Sequence, residues 1–225
     1  MQSAALPLYH VVRPAPPSEG RLSPLLILLH GVGSNEADLY GLTPYLDERF
    51  FVISARAPIT LGPNAFAWYH VDLLPDRMII NAAEEKATRA QLVHFINEAV
   101  KAYPVDPKQV YLMGFSQGAI MSYGLMLTQP EKLAGVVAMS GRLLDEVRSE
   151  ATEGDGLKDF PILIVHGLHD PVIPIKYARE AKEYLTKLPL RLTYYEYDMA
   201  HHVSQQSLDA IRAWLGDRLA ENTRA

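Results

Sequence analysis

Short runs of uninterrupted apolar residues punctuate the chain at 25–29, 51–53, 110–113, 135–139 and 162–165. None alternates in polarity, so each predicts a strand covered on both faces, as in a parallel sheet. A further run at 192–197 is rich in β-formers but more polar, which puts it nearer a sheet edge. Between these runs the apolar positions shift to helical spacing. Leu92, Ile96, Ala99 and Tyr103 share one stripe of a helix over 82–103, which Pro104 ends. Leu208, Ile211, Leu215 and Leu219 do the same for a C-terminal helix, with Ser204 as its N-cap. Strands alternating with helices predict an α/β architecture, a mostly parallel sheet with helices on both faces.

The 225 residues fit one domain spanning 1–225, since neither a repeat nor a low-complexity tract interrupts the pattern. Residues 14–24 read as a loop between two early strands. Residues 142–158, with Gly154-Asp155-Gly156, read as a polar excursion too short for a cap domain. With 48% hydrophobic and 21% charged residues, the composition is that of an ordinary globular protein. The formal net charge of -5, without a basic run, argues against nucleic acid as a partner. The first twelve residues lack the apolar core of a signal peptide, and no stretch is long enough to insert stably in a membrane. A cytoplasmic address follows by default, and a homodimer is left open. There is no cysteine, which excludes disulfides, thiolate metal sites and a cysteine nucleophile.

The chemistry concentrates at Gly114-Phe115-Ser116-Gln117-Gly118, a G-x-S-x-G pattern. A buried-type strand runs straight into it, and 119–128 continues with helical spacing. A sharp strand-to-helix turn there forces Ser116 into a strained backbone conformation and lifts its hydroxyl above the sheet. Flanking glycines remove the Cβ atoms that would collide with the neighbouring strand and helix. Ser116 is therefore the candidate nucleophile.

A serine hydroxyl needs a base to take its proton, and the base must be held in one tautomer. Around such a turn, the acid and then the histidine follow the serine along the chain, on loops beyond strand ends. Asp170 lies just past the 162–165 strand, whereas Asp155 and Asp159 precede it and Asp198 sits almost beside the histidine pair. The only histidines beyond Asp170 are His201 and His202, and spacing does not choose between them. His166, His169, Asp170, His201 and His202 could imitate a metal-ligand cluster. They lie beyond strands, not on one helix face, and no H-E-x-x-H occurs, so no catalytic metal is expected.

Two backbone amides must receive the charge that develops on an attacked carbonyl oxygen. One belongs to Gln117, the residue after the nucleophile. The other is assigned to Val32, in the glycine-rich loop His30-Gly31-Val32-Gly33 that follows the first apolar run. Phe66, Trp68 and Tyr69, in a loop bounded by proline and glycine, are candidates for the wall of a substrate pocket.

Taken together, these residues resemble the phospholipase/carboxylesterase family of α/β-hydrolases, which includes acyl-protein thioesterases and small bacterial carboxylesterases. The resemblance extends from His30-Gly31-Val32-Gly33, with Asn35, Asp38 and Leu39, through Gly114–Gly118 and Asp170 to the final helix. Met199-Ala200-His201-His202-Val203 fits the family's histidine frame with His201 as base, although Ala200 stands where glycine is usual. Trp68-Tyr69-His70 is similar to the family's Trp-Phe-Asp segment, with His70 departing from it. The resemblance implies an α/β-hydrolase fold without a cap domain or a cofactor. It also implies a Ser-His-Asp esterase acting on small-molecule esters of short to medium acyl chain, thioesters or lysolipids. A peptidase or amidase on the same scaffold, or a non-catalytic binding protein, are the rival readings.

Overall fold

The structure, a computed structural model, describes residues 6–17, 20–73, 78–152 and 155–222. Gly154 of the excursion and both chain ends lie outside the described residues. In chain order the strands are β1 (His10–Arg13), β2 (Ser23–Leu29), β3 (Phe51–Ala55), β4 (Ile59–Gly62), β5 (Ala65–Ala67) and β6 (Val71–Leu73). They continue with β7 (Met78–Ile80), β8 (Val105–Phe115), β9 (Gly135–Met139), β10 (Pro161–Gly167) and β11 (Arg191–Tyr197). The helices are α1 (Ala37–Tyr40), α2 (Ala82–Ala102), α3 (Gln117–Thr128), α4 (Asp145–Ser149), α5 (Lys176–Leu185) and α6 (Gln205–Asn222).

Seven strands form one sheet in the order β1-β3-β2-β8-β9-β10-β11. Only β1 runs antiparallel, against β3; the other neighbours pair in parallel. The more polar β11 is an edge strand, as its composition predicts. Strand β2 shows why an unbroken apolar run is needed at the centre. Its Leu25, Ile27 and Leu29 pack with Phe95 and Ile96 of α2 on one face. Leu26 and Leu28 join the cluster containing Ile211, Trp214 and Leu215 of α6 on the other. Burying each such leucine contributes roughly 1.5–3 kcal/mol relative to exposure. The two remaining strand pairs, β4–β5 and β6–β7, are small antiparallel hairpins outside this sheet.

The helix ends follow their local chemistry. Asn81 caps α2 by accepting a hydrogen bond from the amide of Glu84, and Pro104 stops it one residue beyond Tyr103. The Ser204 hydroxyl accepts from the amide of Ser207 at the start of α6. The 142–158 excursion is not all loop. Leu143, Leu144 and Val147 are buried, and anchoring them forms the short helix α4 within the polar stretch.

Arg13, at the end of β1, ties the chain between α1 and β3 to the sheet. Its guanidinium donates to the carbonyls of Thr43 (2.5 Å), Leu46 (3.2 Å), Asp47 (2.8 Å) and Phe50 (3.1 Å). Replacing it with methionine strands four acceptors in a half-buried site. Arg13→Met is expected to lower unfolding stability by about 2 kcal/mol, read as a fall in the urea midpoint at unchanged slope.

Candidate active site

Ser116 is the hinge between β8 and α3, with φ 53° and ψ -115°. A left-handed conformation at a non-glycine residue costs on the order of 1–3 kcal/mol and persists only where surrounding contacts enforce it. Here the Ser116 amide donates to the Met139 carbonyl at 2.9 Å, while its carbonyl accepts from the amides of Ala119 and Ile120. The flanking glycines are required by close approach. A Cβ on Gly114 would run into the Gly118 carbonyl, and one on Gly118 into the Leu29 carbonyl. Without those side chains α3 lies directly against β2 and β8, with Gln117 through Leu127 all buried.

The other two candidates arrive from the same end of the sheet. Beyond β10, the amides of Leu168 and His169 donate to the carbonyls of Tyr197 and Met199. This extends the β10–β11 pairing into both loops. Gly167 permits the approach, since a Cβ there would strike the carbonyls of Met199 and Ala200. The result holds the Asp170 loop against the His201 loop. His201 Nδ1 lies 2.6 Å from Asp170 Oδ2, and its Nε2 lies 2.9 Å from Ser116 Oγ. With Asp170 accepting, Nδ1 carries the proton and Nε2 is free to accept from the hydroxyl. The other carboxylate oxygen, Oδ1, accepts from the amides of Val172 (2.9 Å) and Ile173 (2.8 Å), which fixes the plane of the acid. The Phe115 ring packs 4.9 Å from the imidazole.

Of the two histidines that spacing left open, His201 is the one brought to Ser116. His202 is exposed, and its amide donates back to Ala200. Asp198 is also exposed and pairs with His169 at 3.0 Å. Of the residues that could have imitated a metal cluster, His169 is thus drawn away to Asp198, while His201 turns its second nitrogen to Ser116.

The loop carrying Val32 lies against Ser116: a Cβ on Gly31 would sit 3.3 Å from Ser116 Cβ. Gly33 takes φ 79°, the turn that only glycine adopts freely. Among the described residues the Val32 amide has no acceptor, and Gln117, as the first residue of α3, has none within its helix. His30 anchors the loop in the interior. Its Nδ1 bonds the Gly31 carbonyl at 2.7 Å, and its Nε2 accepts from the Ala57 amide at 3.1 Å. Burial holds its pKa below the ordinary histidine value.

The expectation for the pocket wall is corrected. Trp68 and Tyr69 are wholly buried, so their rings pack into the core and do not face a substrate. Phe66 remains partly exposed, but the Arg56 guanidinium covers its ring at 4.5 Å. The segment serves as a brace. Gln117 Oε1 accepts from the Trp68 amide (2.8 Å), and Gln117 Nε2 donates to the Tyr69 carbonyl (2.7 Å). Trp68 Nε1 donates to the His30 carbonyl at 2.9 Å. The Gly33 amide donates to the Phe66 carbonyl, and the Phe66 amide to the Ser34 carbonyl. The side chain of Gln117 thus links the elbow to the Val32 loop.

Sequence reasoning also missed His166. It is fully buried beneath the acid loop, where Nε2 donates to the Ile173 carbonyl at 2.7 Å and lies 3.5 Å from Asp170 Oδ2. Burial lowers its pKa, so it stays a neutral donor. Its place in a strand ending His-Gly, four residues before the acid, was the available signal.

Comparison with known proteins identifies the family. A protein of Kluyveromyces lactis named acyl-protein thioesterase 1 is 28% identical over 212 residues, covering 87% of this chain and 92% of that one. A protein of Oryza sativa subsp. japonica named a probable inactive carboxylesterase is also 28% identical, covering 86% of this chain and 84% of that one. The solved structure of esterase PE8 superposes with a TM-score of 0.80 at 27% identity, covering 93% and 98% of the two chains. The family model described as Phospholipase/Carboxylesterase matches residues 14–217. The chain, an α/β-hydrolase in fold, belongs to the phospholipase/carboxylesterase family.

Proposed function

We propose that this protein is a serine esterase that hydrolyses carboxylic esters of small molecules by two-step acyl transfer through Ser116, His201 and Asp170. One observation carries the reading: the continuous path from Ser116 Oγ to His201 (2.9 Å) and from His201 to Asp170 (2.6 Å). Ser116 Oγ attacks the ester carbonyl as His201 Nε2 takes its proton, and Asp170 stabilises the imidazolium. The tetrahedral oxyanion is held by the amides of Val32 and Gln117. Collapse expels the alcohol, which takes the proton from His201 and leaves an acyl-enzyme on Ser116. Water, deprotonated by His201, then attacks the acyl carbon and regenerates the hydroxyl.

The exposed apolar side chains of Val32, Leu168 and Val172 flank the oxyanion loop and the acid. They support a preference for short to medium acyl chains over purely polar substrates. Thioesters belong in the substrate panel because a relative carries the name of a thioesterase. Lysolipids belong there as longer amphipathic esters. The relative named inactive keeps the binding-protein reading in the test, but the intact Ser116–His201–Asp170 path supports catalysis.

Ser116→Ala is expected to cut kcat on a short-chain nitrophenyl ester by roughly 10⁶, with loss of fluorophosphonate labelling. Wild-type protein that neither labels nor turns over would exclude the esterase. His201→Ala should approach the serine variant, whereas His202→Ala should keep most of the rate; the opposite ranking would transfer the base. For the brace, Gln117→Leu should speed hydrogen exchange at the Trp68, Phe66 and Gly33 amides by at least about tenfold. Unchanged protection at all three amides would remove that linkage.

A further inference from the structure

Two cations beside this site have no counter-ion among the described residues. Arg142 follows the end of β9, the strand lying between β8, which carries Ser116, and β10, which carries Asp170. Ser140 turns the chain there with φ 48°, and its amide donates to Val165, while that of Ser116 donates to Met139. Gly141 then packs on the first turn of α3, since a Cβ there would be 2.6 Å from Ala119 Cβ. The next residue is Arg142. Its guanidinium lies 5.5 Å from the centre of the Tyr177 ring, and Lys176 Nζ approaches the same ring to 4.9 Å. Both aromatic contacts are at the start of α5, immediately after the acid loop, where the helix dipole also favours negative charge.

Other arginines hold carboxylates, as Arg56 does Glu36 and Arg179 does Glu196. Arg142 is half-buried, its Nε is fully buried without a hydrogen-bond partner, and no described carboxylate comes within ion-pair range of it or of Lys176. Glu85 and Glu146 influence the neighbouring Tyr69, but they do not reach Arg142 as ion-pair partners. The buried Tyr69 hydroxyl also lacks a partner. Its pKa is raised by burial, and the charge of Arg142 pulls the other way. Two like charges gathered on one ring, one of them partly desolvated, repel each other and favour an anion placed between them.

We propose that Arg142 and Lys176 anchor an acid group carried by the substrate, so that the site prefers an ester bearing a carboxylate to its neutral isostere. This rests on the esterase reading above. The apolar residues of the rim would face the spacer between the ester and the acid. The guanidinium, planar and always charged, provides the directional contact, and the lysine adds a point charge.

The test compares carboxylate-terminated esters with their carboxamide isosteres. One series has the group in the acyl part (monoethyl adipate against its amide) and the other has it in the alcohol part (4-butanoyloxybutanoate against its amide). Wild-type protein should favour the carboxylate by about tenfold or more in kcat/KM in one series, and that series identifies which half of the substrate reaches the anchor. Arg142→Met with Lys176→Met should bring the ratio close to one. Arg142→Lys should keep part of the preference, and Arg142→Glu should shift it toward an ammonium-terminated ester, which a merely structural role would not do. A wild-type ratio near one in both series, with neutral esters still cleaved, overturns the anchor and leaves the esterase standing. A preference that survives the double variant overturns it equally. Failure to cleave any ester, charged or neutral, overturns both readings together.

Discussion

The approach of α3 to the carbonyl of Leu29 is the constraint on which the site is built. Gly118 makes it possible, and no residue with a side chain could occupy that position without moving a backbone. Because α3 begins there, Ser116 must absorb the change of direction in one residue, and it does so at a positive φ. The strain is offset by what the turn permits. The apolar face of α3 is buried, and Ser116 bonds Met139 on one side and the first turn of its helix on the other. The same approach fixes the amide of Gln117 beside the hydroxyl and brings the 30–33 loop within contact of the serine through Gly31. The strained turn at Ser116 and the placing of the Gln117 amide and the 30–33 loop are consequences of a single packing contact.

Asp170 and His201 are placed by a different device. The ladder between β10 and β11 continues past the strand ends, through Leu168 and His169, so the loops holding Asp170 and His201 are tied together. The carboxylate is satisfied by backbone amides on one oxygen and by the imidazole on the other. His166, pinned to Ile173, supports the far side of the same loop. Such support from outside the reacting groups holds a hydrogen-bonded trio in register.

The central strands and the order of their helices were legible in the sequence because burial on both faces leaves an unmistakable apolar run. The elbow was legible because glycine at fixed offsets has few other uses. The polar start of β8, with Asp106, Pro107 and Lys108, concealed how far that strand extends, since it pairs only loosely before the register shift. Helix α5 was hidden by its small buried residues, Ala178 and Ala181, set among charges. The roles of Gln117 and Trp68 were not legible. Gln117 bonds backbone groups nearly fifty residues away and the Trp68 ring bonds a carbonyl 38 residues away, and such bonds leave no periodicity. The choice of His201 over His202 came from the resemblance of Met199–Val203 to a known frame, and geometry brought the same imidazole to the hydroxyl.

His30 gives the Val32 loop a property beyond shape. Its Nε2 must keep a lone pair to receive the Ala57 amide, so the bond exists only while the ring is neutral. Burial disfavours the added proton in the folded chain, whereas the unfolded chain binds it readily; acid therefore weakens the fold at this point before it charges the ring. The loop that carries Val32 thus rests on an imidazole that burial keeps neutral while unfolded chains already take up the proton.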